Sequence, residues 1–463
     1  MRYHRGLVGK NVIVVGGGLA GLAASIYLAR AGRSVTIFER RRYLGGRAIT
    51  HLRRGFRFNL GPHALYRTGG ASRVYRELGV PVRGGIPKLK GTALYHDDRY
   101  RLPSTPLSML MTSILSLGAK SEAAGLMWRI RRGDPKQYAD LTVREWLDGH
   151  VRDARLREVM EALIRLSTYC SDANAQSAAV ALRQLQIASG KVTYVDEGWQ
   201  KLVDSLHSLA VASGVNFVSS NRIVAVHHDG GEVKTIELGG LELEDINDTQ
   251  SIAMPDERPE YEPGARIPAS HVLLAIEPSS AAELVRAGGD DSMCKAWASL
   301  RPVEATCLDV ALSSLPMPRN TFALGIDKPT YFSVHSTAAQ LTPKGGALIH
   351  VMKYRNRTAP IHDLEIEQGN DRKLEVAADE RELETLLDLM QPGWRDVLVH
   401  RRFLPAMTVS NALVTPSTTR PAPVTNVRGL YLAGDWVGDE GLLSDAALLS
   451  ARAAANAIIT TTT

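Results

Sequence analysis

The stretch NVIVVGGGLAGLAASIYLARAGRSVTIFER, residues 11–40, constrains this chain more than any other. Its apolar run from Val12 to Val15 is short, β-branched and unalternating. Such a run predicts a strand buried on both faces, as in a parallel sheet. A glycine-rich turn follows, then an Ala- and Leu-rich segment ending near Gly32, a residue suited to stopping a helix. SVTIF supplies a second strand. Strand, helix and strand make a βαβ unit that opens a parallel sheet. Gly16, Gly18 and Gly21 fall at G-x-G-x-x-G spacing between strand and helix. Gly16 permits the tight turn, Gly18 lets the backbone approach a pyrophosphate, and Gly21 allows close helix packing. The helix start then presents N–H groups and a positive dipole end to phosphate. Glu39 ends the second strand, 18 residues beyond Gly21. A carboxylate there accepts from a ribose 2′-hydroxyl and disfavours a 2′-phosphate, which argues against NADP.

Around this unit the chain is an ordinary globular protein. Its 463 residues predict two or three domains at roughly 150 residues each. A net charge of +6 and 6% aromatics, with no long basic block, argue against a nucleic-acid partner. Cys170, Cys294 and Cys307 lie far apart with no C-x-x-C, so neither a metal site nor a disulfide framework is expected. The low count suits a cytoplasmic protein. Arg2, His4, Arg5 and Lys10 charge the N-terminus, but a glycine-punctuated strand follows where a signal peptide needs an apolar core. The uncharged stretch from Leu102 to Ala119 carries Pro103, Pro106 and several hydroxyls, too polar to span a bilayer.

From Tyr75 to Ile187 the pattern reads mainly helical, without a comparable strand run. VNFVSSNRIVAVHHDGGEVKTIEL then alternates, with Gly230-Gly231 as a hairpin turn. An acidic insertion near Glu242 to Pro263 reads as a surface loop. His271 to Pro278 reads as another buried strand, and Arg301 to His400 as mixed strand and helix. GLYLAGDWVG and an Ala-rich helix after Gly441 follow, and this last strand resembles the first in its apolar run, so the N- and C-terminal pieces are expected in one sheet.

Later residues carry a family resemblance. ERRRYLGGR (Glu39 to Arg47), FNLGPH (Phe58 to His63) and GLYLAGDWVGDEGLLSDAALLSARAAANAI resemble blocks of the flavin amine oxidase, phytoene desaturase and protoporphyrinogen oxidase superfamily. In overall look the chain is most similar to its phytoene-dehydrogenase-like members. The resemblance implies non-covalent FAD. It places Gly45, Gly46 and Arg47 along the pyrophosphate and flavin side, and Arg41 near the adenosine ribose and phosphates. It places Gly61 and Pro62 near the flavin ring, Ile223 at the adenine, and Gly434 and Asp435 near ribityl or pyrophosphate oxygens. Backbone near Leu443 would face the flavin N1–C2=O edge. The chain has Asn59 where the family often has Asp, and Ala451 where it usually has Gly.

The resemblance implies a two-domain α/β protein: a Rossmann-like FAD/NAD(P)-binding domain with an interleaved α+β substrate domain. The first would combine residues 1–75, 190–290 and 421–463, the second 76–189 and 291–420. Amine oxidases of the superfamily commonly place a lysine near flavin N5. The matching strand here is VEATCLDVAL, Val303 to Leu312; it contains no lysine, and Thr306 takes that position in an ungapped reading. This favours hydride removal from a large apolar substrate, with oxygen or a quinone as electron acceptor. An amine oxidase and a protoporphyrinogen-oxidase-like enzyme are the alternatives, and a non-catalytic FAD-binding protein the rival from another class. Leu107, Leu110, Met111, Ile114 and Leu115 lie at helical spacing before Arg129, Arg131 and Arg132. Such a segment either packs in the core or meets a membrane surface. Among His63, His207 and His350, only His63 lies in a block that the resemblance puts near flavin, so it is the one catalytic candidate.

Overall fold

The computed structural model describes residues 11–88, 90–96, 98–241, 262–289, 291, 293–356 and 369–461. The N-terminal charges and the acidic insertion, Glu262 and Pro263 excepted, lie outside the described residues. The opening unit is strand β1 (Asn11–Val15), helix α1 (Leu19–Arg30) and strand β2 (Ser34–Glu39). β1 sits between β2 and the strand His271–Leu274, parallel to both, with Val14 beside Ile37 and Leu273. Asn216–Ser219 and Leu430–Leu432 complete a five-stranded parallel sheet, so the chain's first and last strands share it.

Both faces of that sheet are covered, which is why β1 does not alternate. On one side α1 packs with Gln200–Ala212 and the last helix, Leu443–Thr461, around Leu22, Ile26, Leu206 and Ile458. On the other side Ile13, Phe38, Ile223, Trp297 and Trp436 form a second core. The predicted hairpin joins Asn221–Asp229 to Glu232–Leu241 through Gly230 (φ 57°) and Gly231 (φ 75°). Positive φ at both central residues is what a tight hairpin turn requires.

A seven-stranded sheet forms the other large layer. The expectation of a strand-free Tyr75–Ile187 region is corrected here, because Thr92–Tyr95 and Asp98–Arg101 pair as a hairpin on its edge. The outer strand of that hairpin is mostly exposed, with charge at Asp98, Arg99 and Arg101, so it lacks an apolar strand pattern. Gly84–Gly85 is a further short strand, paired with Val192–Val195, and from Pro106–Met111 to Ala178–Ala188 the region is helical. Its amphipathic stripe divides: Ile114 and Leu115 are buried, whereas Leu107, Leu110 and Met111 are exposed. Among the described residues no helix is long and apolar enough to cross a membrane.

Candidate functional site

The glycine turn after β1 shows which glycines serve the protein's own packing. A Cβ on Gly16 (φ 104°) would lie 2.7 Å from the Ala275 carbonyl oxygen. One on Gly17 would lie 2.3 Å from Leu44 Cδ2, and one on Gly21 only 2.0 Å from the Gly16 oxygen. A Cβ on Gly18 would meet nothing within 4 Å, and its φ of −78° suits any residue. Gly18 also begins α1 without a side-chain cap, leaving the first-turn N–H groups to other acceptors. Open room beside uncapped amides fits an anionic group brought from outside the chain.

Glu39 braces this turn. Gly17 N–H donates to its Oε2 at 2.7 Å and Arg41 N–H to its Oε1 at 3.0 Å. Burial pushes the carboxyl above its usual range, and these two amides and the nearby Arg41 pull against that push. Each oxygen keeps a lone pair for a sugar hydroxyl. Arg41 also supplies its carbonyl to Ser220 N–H at 3.2 Å and stands over the Tyr43 ring.

A second glycine turn locks onto the first. Gly45 N–H donates to the Gly17 carbonyl at 2.9 Å, and Gly45 (φ 123°) and Gly46 (φ 55°) both have positive φ. Arg47 then reaches across the chain to Asp435, donating from Nη1 at 3.0 Å and Nη2 at 2.7 Å. Asn411 adds its backbone N–H and its Nδ2, each at 2.9 Å. Burial alone would raise the Asp435 pKa, but the Arg47 guanidinium and the Asn411 donors hold it below the usual carboxylate range. The carboxylate thus acts as a clamp between residues 388 apart in sequence, and Arg47 spends two of its donors on it.

The FNLGPH block runs beside the clamp. Gly61 (φ 73°) passes so close to Met407 that a Cβ would lie 2.5 Å from its sulfur. Pro62 offers its carbonyl to the Tyr169 hydroxyl at 3.4 Å. Asn59 Oδ1 accepts from Thr50 Oγ1 at 2.6 Å and Trp199 N–H at 3.0 Å, so this amide ties two loops together. His63 lies against the Gly61 and Arg47 carbonyls, one at each ring nitrogen, both at 3.2 Å. Burial holds its pKa down at about 4, and His350 adds to that, so the ring is neutral near pH 7. A neutral ring donates to only one of these two carbonyls, and that bond ties His63 to the loop.

The C-terminal block closes the site. Gly434 (φ 152°) has its N–H held by Ser450 Oγ at 3.0 Å, and Leu443 begins the last helix in a left-handed conformation (φ 56°). Asp445, which sequence reading missed, accepts from Ala71 N–H at 2.8 Å at the start of the helix Gly70–Leu78. Burial raises it to about 6. Ile223 is buried in the same core as Phe38, between two register shifts of its strand.

The seven-stranded sheet turns its inner face toward this assembly. Alternation along Val303–Leu312 puts Ala305, Cys307 and Asp309 on that face. Cys307 Sγ lies 3.6 Å from the Cβ position of Gly61. Thr306 points the other way. Its hydroxyl donates toward the Pro405 carbonyl at 3.1 Å and accepts from Arg355 Nη1 at 2.9 Å, under the helix Gly369–Met390. The inward positions are therefore Ala305 and Cys307, and neither is lysine. Cys307, Asp309 and His350 bring three ligand-type atoms within 4.8 Å of one another. Asp309 already carries Arg402 and His350, and burial first, then Asp309, push the Cys307 thiol far above its usual range. This set is a carboxylate held by Arg402 and the His350 ring, beside a protonated thiol. His207, the third imidazole weighed from sequence, packs on Phe217 away from this cluster.

These features match a known family. A profile described as flavin containing amine oxidoreductase matches residues 19–299. The chain belongs to that family. Among sequence relatives, phytoene desaturase of Cercospora nicotianae is 26% identical over 267 residues, covering 49% of this chain and 42% of its own length. A 4,4′-diaponeurosporene oxygenase of Staphylococcus aureus is 45% identical over 56 residues, 12% of this chain and 11% of that protein. The matches thus span less than half of either relative. Among solved structures, an oxidoreductase from Methanosarcina mazei has a TM-score of 0.72 at 18% identity, covering 96% of this chain and 99% of that one. Cyclohexylamine oxidase from Brevibacterium oxydans has a TM-score of 0.63 at 14% identity, covering 98% and 99%. At these identities the structures attest the fold alone. The family implies a flavin, and the open Gly18 turn, the Gly45–Arg47 turn and the start of the last helix fit one.

Proposed function

We propose that this flavin-family chain binds FAD without a covalent link and removes hydride from a large apolar substrate. The carrying observation is the meeting of three distant blocks, Gly16–Gly21, Gly45–Arg47 and Gly434–Asp435, beside Gly18, where a Cβ would meet nothing within 4 Å. When bound, oxidised flavin supplies a two-electron hydride acceptor, with oxygen or a quinone as the later electron acceptor. The chain's own residues bind, orient and exclude water. The uncapped start of α1 takes phosphate charge, and Glu39 takes a ribose hydroxyl. The raised pKa of Cys307 keeps its thiol from acting as a nucleophile toward the ring.

The inner sheet face supports an apolar substrate class. Ala305, Met352 and Tyr354 are buried there with helix residues Met160, Ile164 and Leu182. Aliphatic and aromatic side chains behind this face would suit an apolar ligand. The desaturase relative points the same way. Anaerobic mixing of the FAD-loaded protein with a panel of isoprenoid hydrocarbons and simple amines tests this. Isoprenoid compounds are expected to bleach the flavin faster. Rapid bleaching by a primary amine alone would move the chain to amine oxidation.

Exposed apolar side chains support substrate entry from a lipid surface. Leu107, Leu110 and Met111 are exposed, as are Leu117 and Trp128 on the next helix, Leu117–Arg132. Leu117 and Trp128 stand about three helical turns apart, on one face. Lys120, Arg129, Arg131 and Arg132 surround them, which suits an anionic membrane. The protein is expected to co-sediment with anionic vesicles. A Leu107→Ser, Leu110→Ser pair should weaken this about tenfold or more, since a buried Leu contributes about 1.5–3 kcal/mol. Equal sedimentation of both proteins would remove the membrane contact.

A further inference from the structure

The inner sheet face holds acid–base machinery that hydride acceptance leaves unused. Strand register sets Asp309, His350 and Ser333 side by side on three neighbouring strands. Asp309 and His350 are fully buried, and His350 Nδ1 lies 2.5 Å from Asp309 Oδ1. Arg402 Nε donates to Asp309 Oδ2 at 3.1 Å, and its Nη2 donates there too. Burial alone would raise Asp309, but His350 and Arg402 hold it down at about 2. A carboxylate at Nδ1 fixes the ring's proton on that nitrogen and leaves Nε2 as the basic one. His350 Nε2 is buried and has no hydrogen-bond partner among the described residues.

This pair adjoins the loop expected near the flavin. Arg402 Nη2 also donates to the Asn59 carbonyl, and Cys307 Sγ, which donates to Asp309 Oδ1 at 3.1 Å, lies under Gly61. His335 meets the His350 ring edge-to-face at 4.4 Å and stacks on Tyr194 at 3.8 Å. Its Nε2 lies 3.1 Å from the Tyr331 hydroxyl. The groups around His350 are therefore Asp309, Cys307, Arg402, His335, His63, Tyr331 and Tyr194. Burial, with His350 and His63 adding to it, keeps His335 neutral, and burial keeps both phenols and the thiol protonated. Asp309 is the one anion among these neighbours, and Arg402 the one cation.

We propose that His350, oriented by Asp309, is the proton acceptor of this site. The inference rests on the flavin reading above. In a desaturation, one hydrogen leaves the substrate with its bonding pair, as hydride, to oxidised flavin. The electron pair of the adjacent C–H bond becomes the new π bond, and that proton passes to His350 Nε2. Two hydrogens leave and one double bond forms, so atoms and electrons balance.

A group of this kind also senses the charge of reduced flavin without substrate. Its proton affinity rises on reduction, and the flavin midpoint potential then bends with pH. For the FAD-loaded protein a bend is expected between about pH 5 and 8, where histidine side chains in general change charge. Asp309→Asn should move it down by about one pH unit or more, the shift typical of losing an adjacent opposite charge. His350→Gln should abolish it. A bend that stays put in both variants belongs to the flavin and overturns the proposal, as does lower stability or flavin content with an unchanged bend. A wild-type curve without any bend overturns it even if neither variant folds. Failure to take up FAD would instead overturn the flavin reading. In that case ¹⁵N spectra of the histidine-labelled protein still decide, since Nδ1–H with a bare Nε2 is expected and a bare Nδ1 overturns the assignment.

Discussion

Gly18→Val is expected to give a folded protein that cannot hold flavin. The position is extended at φ −78° with no protein atom within 4 Å of a Cβ, so the branch atom itself meets no neighbour in the chain. Its cost falls on a ligand that must approach the backbone there. Gly21→Val should behave differently. A Cβ there would lie 2.0 Å from the Gly16 oxygen, a backbone atom that cannot step aside. Overpacking of this severity costs about 1–3 kcal/mol or more and threatens the fold itself. The two variants should be compared by circular dichroism and by the visible spectrum after incubation with FAD. Native ellipticity without yellow colour is expected for Gly18→Val, and lost or aggregated protein for Gly21→Val. The Gly18 variant should also melt lower than the flavin-loaded protein, because a ligand bound only to the native state stabilises it by mass action. Full flavin occupancy in Gly18→Val would place the nucleotide elsewhere.

Much of this site was legible because its constraints are local. The buried β1 run, the spaced glycines and Glu39 all lie within one βαβ unit, where spacing alone fixes geometry. The resemblance extended that reading to Arg47 and Asp435. It did not show that the two would grip each other, because a pairing between residues 388 apart appears only when the parallel sheet closes. Thr306 shows the limit of an ungapped reading. One residue along a strand reverses the face, and Thr306 lies under the helix Gly369–Met390 while Cys307 faces the Gly61 loop. The edge hairpin Thr92–Tyr95 and Asp98–Arg101 was missed because a short exposed edge strand carries charge in place of apolar alternation. The Asp309–His350 pair needed strand register, which composition and motif spacing do not encode.

Arg47→Ala should be the most damaging single change outside the glycine turn. Asp435 is 2% exposed and has four donors, two of them from Arg47. Removing the guanidinium leaves a buried carboxylate with only the Asn411 donors. Breaking a buried ion pair on one side costs about 3–5 kcal/mol, and the half-exposed Arg47 puts this case at about 3 kcal/mol. The pH dependence has a definite sign. In the wild type the Asp435 pKa is held below its unfolded value. Its contribution is therefore present above the unfolded value, near pH 3.8, and is lost as pH falls through the folded one. In Arg47→Ala, burial dominates and the carboxyl titrates higher, so acid neutralises the stranded charge. The melting-temperature gap between wild type and variant should be wide at about pH 7 and narrower at about pH 4. Adding Asp435→Asn to Arg47→Ala should recover part of the loss at neutral pH, because it removes the unpaired charge while keeping an acceptor for Asn411. A gap equal at both pH values, with no recovery in the double variant, would show that Arg47 acts through packing and not through the carboxylate.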